Sequence, residues 1–198
     1  FSTTSTLITV YNTIVKSKVQ VEQALADLDS TYQRRYALVD NLVSIVKETK
    51  TFEQYQIEIE KDLYPRVAEA KAQATKLTIQ QPQEVGKRIA NETQLTNVLL
   101  QTLDKLLVLA QHYPVISDPV LKDRQATFTA LTGLKSSLEE FEQDIQQHRK
   151  GFNESVRIYN QNLAIFPANL LAPRWSFTAL TGFEVLTEKA RQDVRIAF

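Results

Sequence analysis

His112 and His148 are the only imidazoles in a chain of 198 residues that has no cysteine. A di-metal site in a helical bundle takes a Glu from each of two helices and a Glu-x-x-His from each of two others. Neither histidine here has Glu three residues before it. His148 does follow Asp144 by one helical turn, a spacing that sets two ligand types on one face. It also falls about 40° from the centre of the apolar stripe of its segment, at 100° per residue. A core-facing imidazole bonded to a nearby carboxylate explains that position better than a metal ligand. The lack of cysteine excludes thiolate metal sites, Cys nucleophiles and disulfides. The sequence holds no Gly-rich phosphate loop, no Ser elbow and no His-Glu-x-x-His. The expectation is a protein without a catalytic centre, a cofactor or a metal.

Two other groupings suggest structure or recognition. In the pair Arg34-Arg35 the helical period turns Arg34 to solvent and brings Arg35 to about 40° from the centre of the apolar stripe. A guanidinium placed there needs a carboxylate, because burying it unpaired costs several kcal/mol. Glu92 lies on the same line as Leu95, Leu99, Leu103 and Leu106. Counting up one helix, down the next and up a third brings Glu92 within about one turn of Arg35. A buried Arg35–Glu92 pair is expected, with Arg88, one turn before Glu92, able to share the carboxylate. The same counting sets Tyr11-Asn12 level with Tyr159-Asn160, either as core aromatics with surface Asn or as a polar-aromatic layer that receives the C-terminal tail.

The elements that must position these residues are helices. Only four Gly and six Pro occur, too few for the many turns of a sandwich or barrel. Apolar residues recur by threes, fours and sevens over about 4–50 (Leu7, Val10, Ile14, Val21, Leu25, Leu28, Tyr32, Val39, Leu42, Val46), about 52–79, about 84–112 and about 119–166. The breakers are Pro82, Pro114 with Pro119, and Pro167 with Pro173. Between the first two segments stands only Glu48-Thr49-Lys50-Thr51, without Gly or Pro, and a break near 50 is preferred because four helices close a bundle. Pro65 marks a second kink site. The fold expected is all-α: an antiparallel up-down four-helix bundle over 1–198, with two long helices, two shorter ones, and a tail at 167–198 packed back on it. The shorter pair leaves a two-helix stalk of about 30 Å between the start of the first helix and the end of the fourth. The tail carries Trp175, Phe177, Leu180, Phe183, Val185, Leu186, Val194, Ile196 and Phe198 to cover it, with a short helical turn expected over Glu184–Arg191 and an extended piece over Val194–Phe198.

Lys plus Arg and Asp plus Glu both number 23, giving zero net charge. The basic excess expected of a nucleic-acid binder is missing. No internal run approaches the roughly 20 apolar residues of a membrane-spanning helix. The chain has no Met and begins at Phe1, so a processed or engineered start is expected, with residues 1–5 following an upstream segment.

Tyr11-Asn12, the stretch Tyr32-Gln33-Arg34-Arg35-Tyr36-Ala37-Leu38 with Asn41-Leu42-Val43, Asn91-Glu92, Tyr113-Pro114, Tyr159-Asn160, Ile165-Phe166-Pro167-Ala168-Asn169, Phe183-Glu184, Ala190-Arg191 and Phe198 together resemble the LemA family of bacterial membrane-anchored proteins. Tyr36-Ala37-Leu38-Val39-Asp40 stands where the family usually has His-Asp-Leu-Ile-Pro after the Arg pair. Trp175-Ser176-Phe177 stands where its tail has Gly-Phe. The resemblance implies a four-helix bundle, a single N-terminal membrane span just before this chain, and no established enzymatic activity. The function expected is a non-enzymatic scaffold at the bacterial cell membrane, with a protein partner and no nucleic acid. The alternatives are a soluble helical adaptor and a metal-dependent bundle enzyme. The residues expected to matter are Arg34, Arg35, Glu92, Tyr11, Asn12, Tyr159, Asn160, Phe166 and Pro167.

Overall fold

The computed structural model describes residues 2–49, 52, 57, 59–72, 82–112 and 118–183. Among these residues every regular element is helical and there is no strand. Helix α1 spans Ser2–Glu48, a π-helical turn Ile59–Leu63 leads into α2 at Tyr64–Ala72, α3 spans Pro82–His112 and α4 spans Asp118–Ala164. A short α5 at Ala168–Leu171 and a 3-10 turn at Ala172–Trp175 follow. The first, third and fourth expected segments are present, with ends within the one or two residues by which helix boundaries ordinarily vary. Of the second, expected over about 52–79, residues 59–72 are helical, and both ends of that stretch adjoin residues outside the described ones.

The break after α1 is made by tertiary anchoring. The Thr49 amide still reaches the Ile45 carbonyl, and the Phe52 amide turns back to the Thr49 carbonyl at 3.0 Å. Phe52 is fully buried, and the Thr49 and Thr127 hydroxyls hydrogen-bond at 3.2 Å. The Pro65 position also has a local cause. Proline has no N–H to donate one turn back, and its ring clashes with the carbonyl four residues earlier. The wider π-helical turn directly before it takes that carbonyl out of the way.

The chain divides into two compact units, residues 1–30, 76–90 and 145–198, and residues 31–75 and 91–144. In the second, Val39, Leu42 and Val46 of α1, Leu63 and Val67, Leu95, Leu99, Leu103 and Leu106 of α3, and Leu131, Leu134 and Leu138 of α4 form one buried cluster. These are the apolar stripes read from the sequence. Burying each such side chain is worth about 1.5–3 kcal/mol. Within this unit α1 and α4 pass in opposite senses, as Thr49 meets Thr127 while Arg34 faces Asp144. So do α3 and α4, where Thr96 meets Glu142 and Asp104 accepts from Lys135 at 2.7 Å. The Asp104 hydrogen bond and charge hold the exposed Lys135 ammonium above its ordinary pKa.

In the first unit Ile14, Val21, Leu25 and Leu28 of α1 are buried, as are Val85 and Ile89 of α3 and Ile145, Phe152, Val156 and Tyr159 of α4. Burial of the α1 stripe begins at Ile14. Leu7, expected in the stripe, is 41% exposed, so the first turns of α1 carry their apolar residues uncovered.

Candidate functional site

Arg35 and Glu92 form a buried ion pair, their side chains 0% and 1% exposed. Glu92 reaches Arg35 because the leucine line of α3 faces inward and Glu92 occupies the next inward position on that line. Around the pair the bundle supplies the remaining partners. Arg35 Nη1 also donates to Thr96 Oγ1 and lies 3.8 Å from Glu142 Oε1. The Tyr36 hydroxyl donates to the second Glu92 oxygen at 2.5 Å, and Thr96 Oγ1 donates to Glu142 at 3.0 Å. The guanidinium stands 5.5 Å above the Tyr32 ring. One cation thus sits between two carboxylates, with a hydroxyl on each side and an aromatic face beneath. Arg35 and Glu92 are shut from water, Glu142 is 34% exposed, and Arg35 Nε has no hydrogen-bond partner among the described residues.

Arg34, one residue away, is half exposed. It donates to Thr31 Oγ1 at 3.2 Å, lies 3.9 Å from Asp144 and rests 5.5 Å above Phe141. Arg88, one turn before Glu92, has a carboxylate of α1 beside it. Its Nη1 stands 2.6 Å from Asp29, and the Arg88 side chain is only 5% exposed. Arg88 and Glu92 are a turn apart on α3, but each finds its opposite charge at its own level of α1.

The second grouping is where the tail meets α1 and α4. Trp175 packs edge-on against Tyr11 with ring centroids 5.3 Å apart, and Phe177 packs against the same ring at 5.8 Å. Asn160 grips the backbone of Leu180 from both sides: its amide donates to the Leu180 carbonyl at 2.8 Å and its oxygen accepts the Leu180 N–H at 2.9 Å. Two turns back on α4, Asn153 accepts the Phe183 N–H at 2.6 Å. Arg149 lies 4.5 Å above the Phe183 ring. Gly182 lets the strap come this close, because a Cβ there would stand 3.1 Å from the Asn153 oxygen. Ser176 takes a left-handed conformation, φ 60°, where the strap leaves its 3-10 turn. Residues 175–183 therefore lie on this unit as a strap, as expected; the expectations for Val185, Leu186, Ala190, Arg191 and Val194–Phe198 fall outside the described residues. Tyr159 is buried beneath, and burial pushes its phenol above the ordinary pKa. Asn12 is exposed, and Phe166 is 74% exposed beside the half-buried Pro167.

Asp29, Tyr36, Thr96, Glu142 and Asn153 are the participants that sequence reasoning missed. A signal was present for two of them. Asn153 and Asn160 are seven residues apart on one face, and Thr96 follows Glu92 by one turn. His148 is half buried and His112 is exposed, with its Nδ1 2.8 Å from the Val108 carbonyl. No group of three potential metal ligands comes together among the described residues.

The described residues form a helical fold with an ionic core and an asparagine-gripped aromatic strap. The model of the LemA family matches residues 24–198, and the chain belongs to that family. No curated protein and no solved structure shows detectable similarity to it.

Proposed function

We propose that this chain is the helical domain of a non-enzymatic structural or interaction protein. A span N-terminal to Phe1 holds it at a bacterial membrane, where it scaffolds a protein partner or a membrane-associated assembly. Its architecture in this reading is an up-down four-helix bundle, supported by the opposed senses of α1 against α4 and of α3 against α4. One observation carries the functional reading. The most deeply buried charged groups, Arg35 and Glu92, pair with each other in the interior, with Thr96, Tyr36 and Glu142 around them. An arrangement of that kind fixes helix register, as buried ionic groups do in the best-attested cases. Membership of the LemA family supports the membrane setting. No helix among the described residues is long and apolar enough to cross a bilayer, so the reading assigns the anchor to the segment upstream.

The test is fractionation of the full-length protein from its native cells. It should stay in the membrane pellet after alkaline carbonate extraction and bring a stoichiometric partner with it on detergent purification. Full release by carbonate sinks the anchor. One transition metal per chain, lost in His148→Ala, would sink the non-enzymatic reading.

A further inference from the structure

The largest exposed apolar side chains of the first unit gather at the two helix ends next to the strap. Ile8 is 57% exposed on the opening turns of α1; Ile165, Phe166 and Leu170 are 61%, 74% and 65% exposed where α4 gives way to α5. The strap brings these ends together. Phe177 sits on Tyr11 of α1, and three residues later Leu180 is held by Asn160 of α4. From Leu180 the strap runs back along α4 to Asn153, so Trp175 lies toward the end of α4. Charge is segregated there too. Residues 1–21 and 155–183 contain no Asp or Glu, whereas Lys16, Lys18, Arg157 and Arg174 fall within them. Arg157 is matched by Glu154 at 2.5 Å, which leaves Lys16, Lys18 and Arg174 as a positive rim among the described residues of this end.

We propose that this end of the domain, with Ile8, Ile165, Phe166 and Leu170 at its tip and Lys16, Lys18 and Arg174 behind them, docks on the surface of an anionic phospholipid bilayer. A peripheral contact of this type sinks its apolar residues about 5–10 Å into the boundary between headgroups and acyl chains. Cations set further back then meet the phosphates, each adding attraction to an anionic leaflet. Lys16 stands eight residues along α1 from Ile8, about 12 Å at the helical rise, which is the right offset for headgroup level. Trp175 and Tyr11 are aromatic types favoured at that depth. A second copy of the chain fits the surface less well. Two such ends would oppose like-charged rims, and a handful of side chains falls short of the roughly 20–30 residues per side of a stable protein interface. The proposal extends the membrane reading above but does not rest on the anchor, because it concerns the folded surface of these 198 residues.

The test is flotation of the 198-residue chain with vesicles of phosphatidylglycerol and phosphatidylethanolamine, against vesicles of phosphatidylcholine alone. Binding is expected to the anionic vesicles only and to weaken with salt. The double variant Ile165→Ser/Phe166→Ser and the charge variant Lys16→Glu/Arg174→Glu should each lose about tenfold or more of that binding. Their melting temperatures should match the parent, because all four side chains are exposed. No preference for anionic vesicles, or undiminished binding by both variants, overturns the proposal. So does a concentration-dependent dimer, seen by sedimentation and abolished by the apolar double variant, with no vesicle binding. Failure of flotation leaves the carbonate-extraction result for the full-length protein untouched, so the two readings can fail separately.

Discussion

Arg35 and Arg34 are adjacent in sequence and opposite in consequence. Truncating Arg35 strands Glu92 in a site that is 1% exposed, and breaking a buried pair from one side costs about 3–5 kcal/mol. Arg34 is half exposed, its nearest carboxylate is 3.9 Å away, and exposed pairs are worth at most about 1 kcal/mol. Arg35→Ala should therefore lower the urea midpoint far more than Arg34→Ala; equal midpoints would show the two arginines energetically equivalent. Tyr36→Phe removes the hydroxyl that donates to Glu92, and should cost about 1–3 kcal/mol. A double-mutant cycle between Tyr36→Phe and Glu92→Gln should show coupling, since the residues share one hydrogen bond. Tyr159 gives a pH dependence of definite sign. Its folded phenol holds the proton more tightly than the unfolded one, so the associated stability is complete below about pH 10, where a free phenol titrates. It is lost as pH rises through the higher folded value. Urea midpoints measured at pH 8 and pH 11 should fall less for Tyr159→Phe than for the parent.

The strap is the element whose attachment is most open to test. Asn160 satisfies both backbone groups of Leu180, and only a side-chain carboxamide presents a donor and an acceptor at that spacing. Asn160→Asp keeps the acceptor but turns the donor into an oxygen facing the Leu180 carbonyl. It should lower the melting temperature and shift Trp175 emission to the red. Emission and melting unchanged in this variant would show that the strap is held without Asn160. Truncation after Asn169 should also melt earlier, since it removes the rings packed on Tyr11 and the buried Phe183. Much of this element was legible beforehand. Pro167 and Pro173 stop α4, and the aromatics after them predict return to the bundle. The contacts were not legible: Asn160 and Asn153 gain meaning only when a backbone segment some 20–30 residues further on lies against them. Position also decided the end of α1. Thr49 and Phe52 are not helix breakers by type, and the chain turns there because Phe52 fills a buried site.

Across the whole chain, α1, α3 and α4 each contribute residues to both compact units, so neither unit is a separable stretch of sequence. Local opening of one unit would have to break helices that continue into the other, which favours a single cooperative transition. Trp175 fluorescence reports on the first unit, and far-ultraviolet circular dichroism reports on helix in both. The two should unfold with one midpoint, and a clear separation would show independent folding. The spectrum itself should be that of a helical protein without appreciable sheet. What the sequence determined by itself was the helical class and the inward face of α1 from Ile14 onward and of α3 and α4, because a 3.6-residue apolar period and a scarcity of Gly and Pro favour burying that surface between helices. It also determined that Arg35 needs a carboxylate, since the period carries it inward. Which partner each charge meets was decided only by tertiary structure. Arg88 finds Asp29 and Arg35 finds Glu92, with Thr96, Glu142 and Tyr36 completing the site, because pairing depends on the axial level at which helices far apart in sequence come together. A pattern of residues along one chain encodes the face that turns inward, whereas level is set only when the packed cores of all the helices fit at once.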